Sequence, residues 1–228
     1  DIWSHRWYIF GSGYTFPPTG PLNDTFVDGC RISKHPPDDV GGYFMQAENS
    51  PMGTFAHEFA HVLGLPDLYN TTSGGTVVGD WSLMDGGMWL NYGNTPGHLD
   101  AWSKIQLGWL SPIVVKQYLV TTVDQTESTG GNRVYRVDIL GTQEYFLIEN
   151  RERTGYDIYL PEAGVLIWHV DEARQNNTVL PPKVALEQPG ASLNTAAYSS
   201  DDGQTAFNST TIPNSNANDG TNTSISVW

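Results

Sequence analysis

The chain has 228 residues, enough for one large domain or two small ones, and its 39% hydrophobic and 12% aromatic content is that of a globular protein and not a disordered one. A formal charge of −14, from 25 acidic and 11 basic residues, argues against nucleic-acid partners and against docking on anionic lipid. It fits a secreted protein, some of whose carboxylates could hold Ca2+.

One cysteine, Cys30, excludes an intrachain disulfide, and a buried thiol is its ordinary reading. No apolar run approaches the roughly 20 residues of a membrane-spanning helix. The opening "DIWSHRWYIF" carries no initiator Met and no signal peptide. It reads as cut from something longer, so other domains of a precursor are among the expected partners.

In chain order, residues 1–50 are rich in Gly, Pro and aromatics, and "GSGYTFPPTGPLNDT" is loop by composition. "GGYFMQAE" (41–48) is a strand bounded by turn residues. Residues 51–64 form a helix, with Ser50 as N-cap, Pro51 at the first position, and Phe55, Phe59, Val62 and Leu63 as its apolar side. Gly64 ends it and Pro66 prevents its resumption. Residues 65–95 are Gly- and Asn-rich without helical period, and so long a loop is usually functional. A second helix over 95–110 has Thr95 as cap, Pro96 at its start, Gly108 at its end and a stripe of Leu99, Trp102 and Ile105.

From about 113 the texture becomes strand-like: "QYLVTTVD", "RVYRVDI", "EYFLIENR", "GVLIWHV", "KVALEQ" and "SISVW" alternate with turn residues, as in an all-β region of sandwich type. Residues 208–224 are polar and low in complexity, and read as a long loop.

The chemistry concentrates in "AHEFAHVLGLPD" (56–67). One helical turn separates His57 from His61, so both imidazoles face one side and can reach one Zn2+. Glu58 projects beside them, placed to take a proton from a water. A third ligand is required, and Asp67 is the first candidate if Gly64 turns the chain back. A straight helix would carry Asp67 about 9 Å past His61. Asp80, Asp85 and His98 are weaker alternatives. A later glutamate as third ligand is disfavoured, because the next one after Glu58 is Glu127, in a turn-like stretch. The bland alternative is a surface helix with solvated histidines.

His57-Glu58-x-x-His61-x-x-Gly64-x-x-Asp67 resembles the zinc signature of metzincin-type proteases, with Asp replacing the usual third His. "WSLMDGG" (81–87) looks like the methionine turn of that group, with Met84 as its floor residue. "IWSHRW", "GTFAHEFAHVLGLPDLY", "GDWSLMDGG", "HLDAWSKIQLGWL", "YFLIENR" and "GVLIWHVDE" together resemble the immune inhibitor A family of secreted bacterial metalloproteases. The resemblance implies zinc ligands His57, His61 and Asp67, Glu58 as general base and acid, and calcium sites of unassigned ligands.

The implied fold class is α+β: a metzincin-like zinc protease domain with active-site helix, Met-turn and C-terminal helix over 1–112, then a β-rich, sandwich-like domain over 113–228. The implied activity is a secreted zinc endopeptidase acting on protein or peptide substrates, the alternative being a catalytically silent binding module. Some proteases of this broad group hold the oxyanion with a Tyr. Tyr92 is a candidate for that role, against the reading of a packed or merely exposed side chain.

Elsewhere the ordinary readings dominate. His5 and His169 read as structural, and His169 points away from Trp168 and Val170. His35 reads as loop and His98 as packing or surface. Asp171 and Glu172 could bind Ca2+ or cap a turn. Glu149 and Arg151, two apart on one strand face, form either an ion pair or a solvated strand end.

Overall fold

The computed structural model describes residues 4–7, 26–27, 30–31, 43–126, 133–201 and 203–228. The fold class is α+β, with a mixed sheet. Two short antiparallel pairs lie early in the chain: β1 (His5–Trp7) with β4 (Tyr43–Met45), and β2 (Phe26–Val27) with β3 (Cys30–Arg31). The side chains of His5, His35, Cys30 and Glu127 lie outside the described residues.

Helix α1 (Met52–Val62) follows. Pro51, not Ser50, is its N-cap, in an extended conformation with no side-chain cap bond. Gly64 ends it with a φ of 107°, a region that favours glycine. The expected apolar face is not the buried one: Gly53, Thr54, His57, Glu58 and Ala60 are buried, whereas Met52, Phe55 and Phe59 are exposed. The helix therefore turns its functional side inward.

Residues between α1 and the second helix include a 3-10 turn at Gly79–Trp81 and helical turns within Gly86–Gly93 that are broken by a kink at Leu90, Asn91 and Tyr92. Helix α2 (Ala101–Gln106) is much shorter than the 95–110 expected. Asp100 outcompetes Thr95 as cap, because its carboxylate accepts both Ser103 N at 2.9 Å and Ser103 Oγ at 2.7 Å. Residues 95–99 are held instead by loop contacts, such as Gly97 N to Gly87 O at 3.0 Å. Gly108 adopts the expected positive φ after the helix.

The second half forms one sheet in the order β5 (Ile113–Val114), β6 (Tyr135–Asp138), β7 (Glu144–Arg151), β8 (Gly164–Asp171) and β9 (Val184–Leu186), with β5–β6 parallel and the rest antiparallel. A facing second sheet, as a sandwich requires, is not seen among the described residues. "QYLVTTVD" is not a strand: Tyr118 and Val120 are exposed, and strand propensity without a packing partner is weak. "SISVW" contributes only a bridge from Val227 to Phe207. Around it, Asn208, Asn214 and Asn222 bond backbone amides two residues ahead, which satisfies the chain without a ladder.

Both sheet faces are covered. Tyr145, Leu147, Trp168 and Val170 join Leu83, Met84 and Trp102 in one apolar cluster, which draws on both sides of position 112. Phe146, Ile148 and Ile167 on the other face join Tyr198, Phe207 and Ala217.

Glu149 and Arg151 do form a buried pair, at 3.6 Å, but Asp157 is the closer partner. Arg151 Nε lies 2.6 Å from Asp157 Oδ2 and Nη2 2.7 Å from Oδ1, while Nη1 donates to Trp81 O at 3.1 Å. Removing one member strands a buried charge. Asp157→Ala is expected to cost about 3–5 kcal/mol in urea unfolding, whereas breaking the exposed Arg136–Asp138 pair should cost under about 1 kcal/mol.

His169 lies 2.9 Å from Glu144 through Nε2 and 3.1 Å from Glu187 through Nδ1, away from Trp168 and Val170 as expected. Burial disfavours its charged form, but the two carboxylates outweigh that and hold its pKa above 6.5. A raised folded pKa stabilises fully below the unfolded value, and the contribution is lost as pH rises through the folded value. The melting-temperature gap between wild type and His169→Gln should therefore be widest below about pH 6.5 and shrink on alkalinisation. A gap independent of pH would contradict this assignment.

Candidate metal centre

One turn of α1 brings His57 and His61 together, and the Gly64 turn returns Asp67 to them. Asp67 Oδ1 lies 3.2 Å from His57 Nε2 and 3.1 Å from His61 Nε2, and the two Nε2 atoms are 3.1 Å apart. These three residues are the group that could hold a metal ion among the described residues. Asp80, Asp85 and His98 are not in it.

The rings are fixed from behind. His57 Nδ1 is 2.9 Å from Leu83 O, and His61 Nδ1 is 2.7 Å from Leu65 O. A backbone carbonyl can only accept, so each Nδ1 carries a proton and each Nε2 of a neutral ring presents a lone pair. Asp67 Oδ1 is itself buried without a hydrogen-bond donor. Three electron-pair donors thus converge on one point. Ligand atoms about 2.0–2.1 Å from a tetrahedral zinc stand roughly 3.3 Å apart, close to the observed spacing. The donor set fits zinc.

The proton is the competing cation. Burial opposes charge on both partners, yet Asp67 is held below the usual carboxylate range by the histidines, and His61 above 6.5 by Asp67. Glu58 is buried, and its charge also bears on His61.

The turn that carries Met84 supports this group. Met84 is fully buried, its carbonyl accepts Leu68 N at 2.9 Å next to Asp67, and its amide bonds Ser82 Oγ at 3.1 Å. Asp85 is not a ligand because its Oδ2 takes the amides of Val77, Val78 and Gly79, which tie the preceding loop to the turn.

Tyr69 escaped the sequence reading. Its ring stacks on His57 at a centroid distance of 6.4 Å, and burial, then the Asp67 charge, push its hydroxyl up to about 12. Its place two residues after Asp67, on the same side if the chain is extended there, was the available signal. Tyr92 does not join the group. It is 90% exposed, with a left-handed φ of 56°.

The carboxylates proposed for calcium are occupied by protein donors. Asp171 accepts from Ala173 N, Arg174 Nε and Asn218 Nδ2, and Glu172 from Trp102 Nε1 and Tyr145 Oη, with Lys183 at 2.8 Å.

Residues 1–110 match the family described as Immune inhibitor A peptidase M6, catalytic domain. The chain is 33% identical over 99 residues to Immune inhibitor A of Bacillus thuringiensis subsp. alesti, covering 42% of this chain and 13% of that protein. It is 39% identical over 111 residues to the pre-pro-metalloprotease PrtV of Vibrio cholerae serotype O1 (strain M66-2), covering 45% of this chain and 11% of that one. The matched stretch thus spans 11–13% of the length of these relatives.

Asp67→Asn should keep the fold by circular dichroism but weaken zinc at least about 100-fold in chelator competition, since losing an outer-shell partner alone costs 10–100-fold. Unchanged affinity would remove Asp67 from the ligand set.

Proposed function

Because residues 1–110 carry an immune inhibitor A-like metallopeptidase region, we propose that the chain is a secreted zinc-dependent endopeptidase of metzincin-like build, with its catalytic region over 1–112 and a β-rich region over 113–228. The observation that carries this is the convergence of His57 Nε2, His61 Nε2 and Asp67 Oδ1 within 3.2 Å of one another, with both Nδ1 atoms facing carbonyls. The pre-pro form in the name of one relative supports export.

A zinc ion held by these residues supplies Lewis acidity, which lowers the pKa of a water and polarises a scissile carbonyl. Glu58 takes the proton of the attacking water and returns it to the leaving amine, so no covalent link to the enzyme forms. Buried Glu58 keeps its carboxylate beside His61 for that transfer. Asp67, being anionic, tempers the positive charge at the site, and the Leu65 and Leu83 carbonyls keep both rings in the tautomer that offers Nε2. Among the described residues β4 pairs on one edge only, with β1. An extended peptide substrate can add to its other edge. Exposed Tyr92 is free to swing onto the carbonyl oxygen as the peptide binds.

Glu58→Gln should retain one zinc per chain and lose casein hydrolysis by about 100- to 10,000-fold. Zinc retained with no hydrolysis by wild type would favour a silent binding module. Tyr92→Phe should lower turnover by up to about 100-fold with unchanged stability, and an unaltered rate would remove Tyr92 from the mechanism.

A further inference from the structure

Asp67 faces the two imidazoles through one oxygen. Oδ1 lies 3.2 Å from His57 Nε2 and 3.1 Å from His61 Nε2, and it receives no hydrogen bond. The carboxylate nevertheless has a side-chain partner in Tyr69, whose hydroxyl hydrogen-bonds it. An ionised carboxylate can only accept, so the phenol donates. With Oδ1 excluded, the acceptor is Oδ2.

The phenol is set in place without help from its hydroxyl. Its ring lies beside the His57 imidazole, with centroids 6.4 Å apart and planes inclined by 25°. Its backbone is tied on either side. Leu68 N donates to Met84 O at 2.9 Å, Asn177 Nδ2 to Leu68 O at 2.8 Å, and Asn70 Nδ2 to Thr178 O at 3.0 Å. Leu68 is buried in the core, while Asp67 and Tyr69 on either side of it are half-buried. The chain thus sends Leu68 inward and keeps the two polar side chains together at the site.

A carboxylate can hold a metal ion by one oxygen or by both. We propose that Tyr69 is a positioning residue of the metal centre: its hydroxyl holds Asp67 Oδ2, so that Oδ1 alone is offered to the ion beside His57 and His61. The inference rests on the zinc reading above and concerns how the third ligand binds. A carboxylate held by one oxygen takes one coordination position and not two, and a hydrolytic zinc site needs a position for water.

The test compares wild type, Tyr69→Phe and Tyr118→Phe, the last removing a phenol that is 89% exposed and outside the group. Three quantities are read: zinc affinity by chelator competition at neutral pH, the visible absorption bands of the cobalt(II)-loaded chain, and the melting temperature of the metal-free chain. Tyr69→Phe should bind zinc about ten-fold more weakly, the lower end of what losing an outer-shell partner costs. Its cobalt bands should lose intensity, because the freed Oδ2 adds a further oxygen to the ion. Tyr118→Phe should match wild type in both. The bands decide the matter. Unchanged bands in Tyr69→Phe would overturn the proposal, and with a lowered melting temperature they would make the hydroxyl merely structural. That result leaves the zinc reading standing as long as wild type binds zinc, whereas a wild-type chain that takes up no zinc overturns both.

Discussion

Three electron-pair donors facing one another at about 3 Å are tolerable only with a cation among them. His57 Nε2, His61 Nε2 and Asp67 Oδ1 form such a set, and the geometry commits them to it, because both Nδ1 positions face carbonyl oxygens. A proton on His61 satisfies the condition poorly, being able to bridge only one pair at a time. A metal ion held by these residues would satisfy all three atoms at once. Helix α1 turns His57 and Glu58 inward and leaves Phe55 and Phe59 exposed, against its apolar stripe. Local amphipathicity has yielded there to the site.

The rest of the molecule holds that triangle by a continuous set of bonds. Arg151 on β7 clamps Asp157, whose carboxylate accepts His98 N; the His98 carbonyl accepts Leu83 N; and the Leu83 carbonyl faces His57 Nδ1. A second tie runs from Asp100, the cap of α2, through Ser82 to the Met84 amide, and from the Met84 carbonyl to Leu68 beside Asp67. The candidate metal ligands are thus braced by the sheet and by the second helix. Burial of the bracing charges explains why they are paired so completely, since an unpartnered ion there would be expensive. Lys104 is the exception within this layer, its ammonium buried without a hydrogen-bond acceptor.

The site was more legible than the fold around it. His57, Glu58, His61 and Gly64 sit where helical spacing and glycine's tolerance of positive φ place them, and Asp67 follows from the turn those features impose. The Leu65 and Leu83 carbonyls that hold the two imidazoles carry no side-chain signal, so no sequence pattern marks them. Helix limits failed where caps competed: Asp100 lies five residues beyond the Thr95–Pro96 signal and wins because its carboxylate also serves Ser82. Strands failed where a partner was missing. "EYFLIENR" and "GVLIWHV" pair along their length, but "QYLVTTVD" and "SISVW" have equal propensity and no ladder to join. Propensity is local, and pairing is decided elsewhere in the chain.

Zinc stoichiometry read together with the zinc K-edge absorption spectrum of the purified chain tests the central claim most directly. The account predicts one zinc per chain, in a shell of nitrogen and oxygen at about 2.0–2.1 Å with two imidazole signatures and no sulfur. A chain that holds no zinc at neutral pH, or a spectrum with a sulfur ligand or a single imidazole, would contradict it.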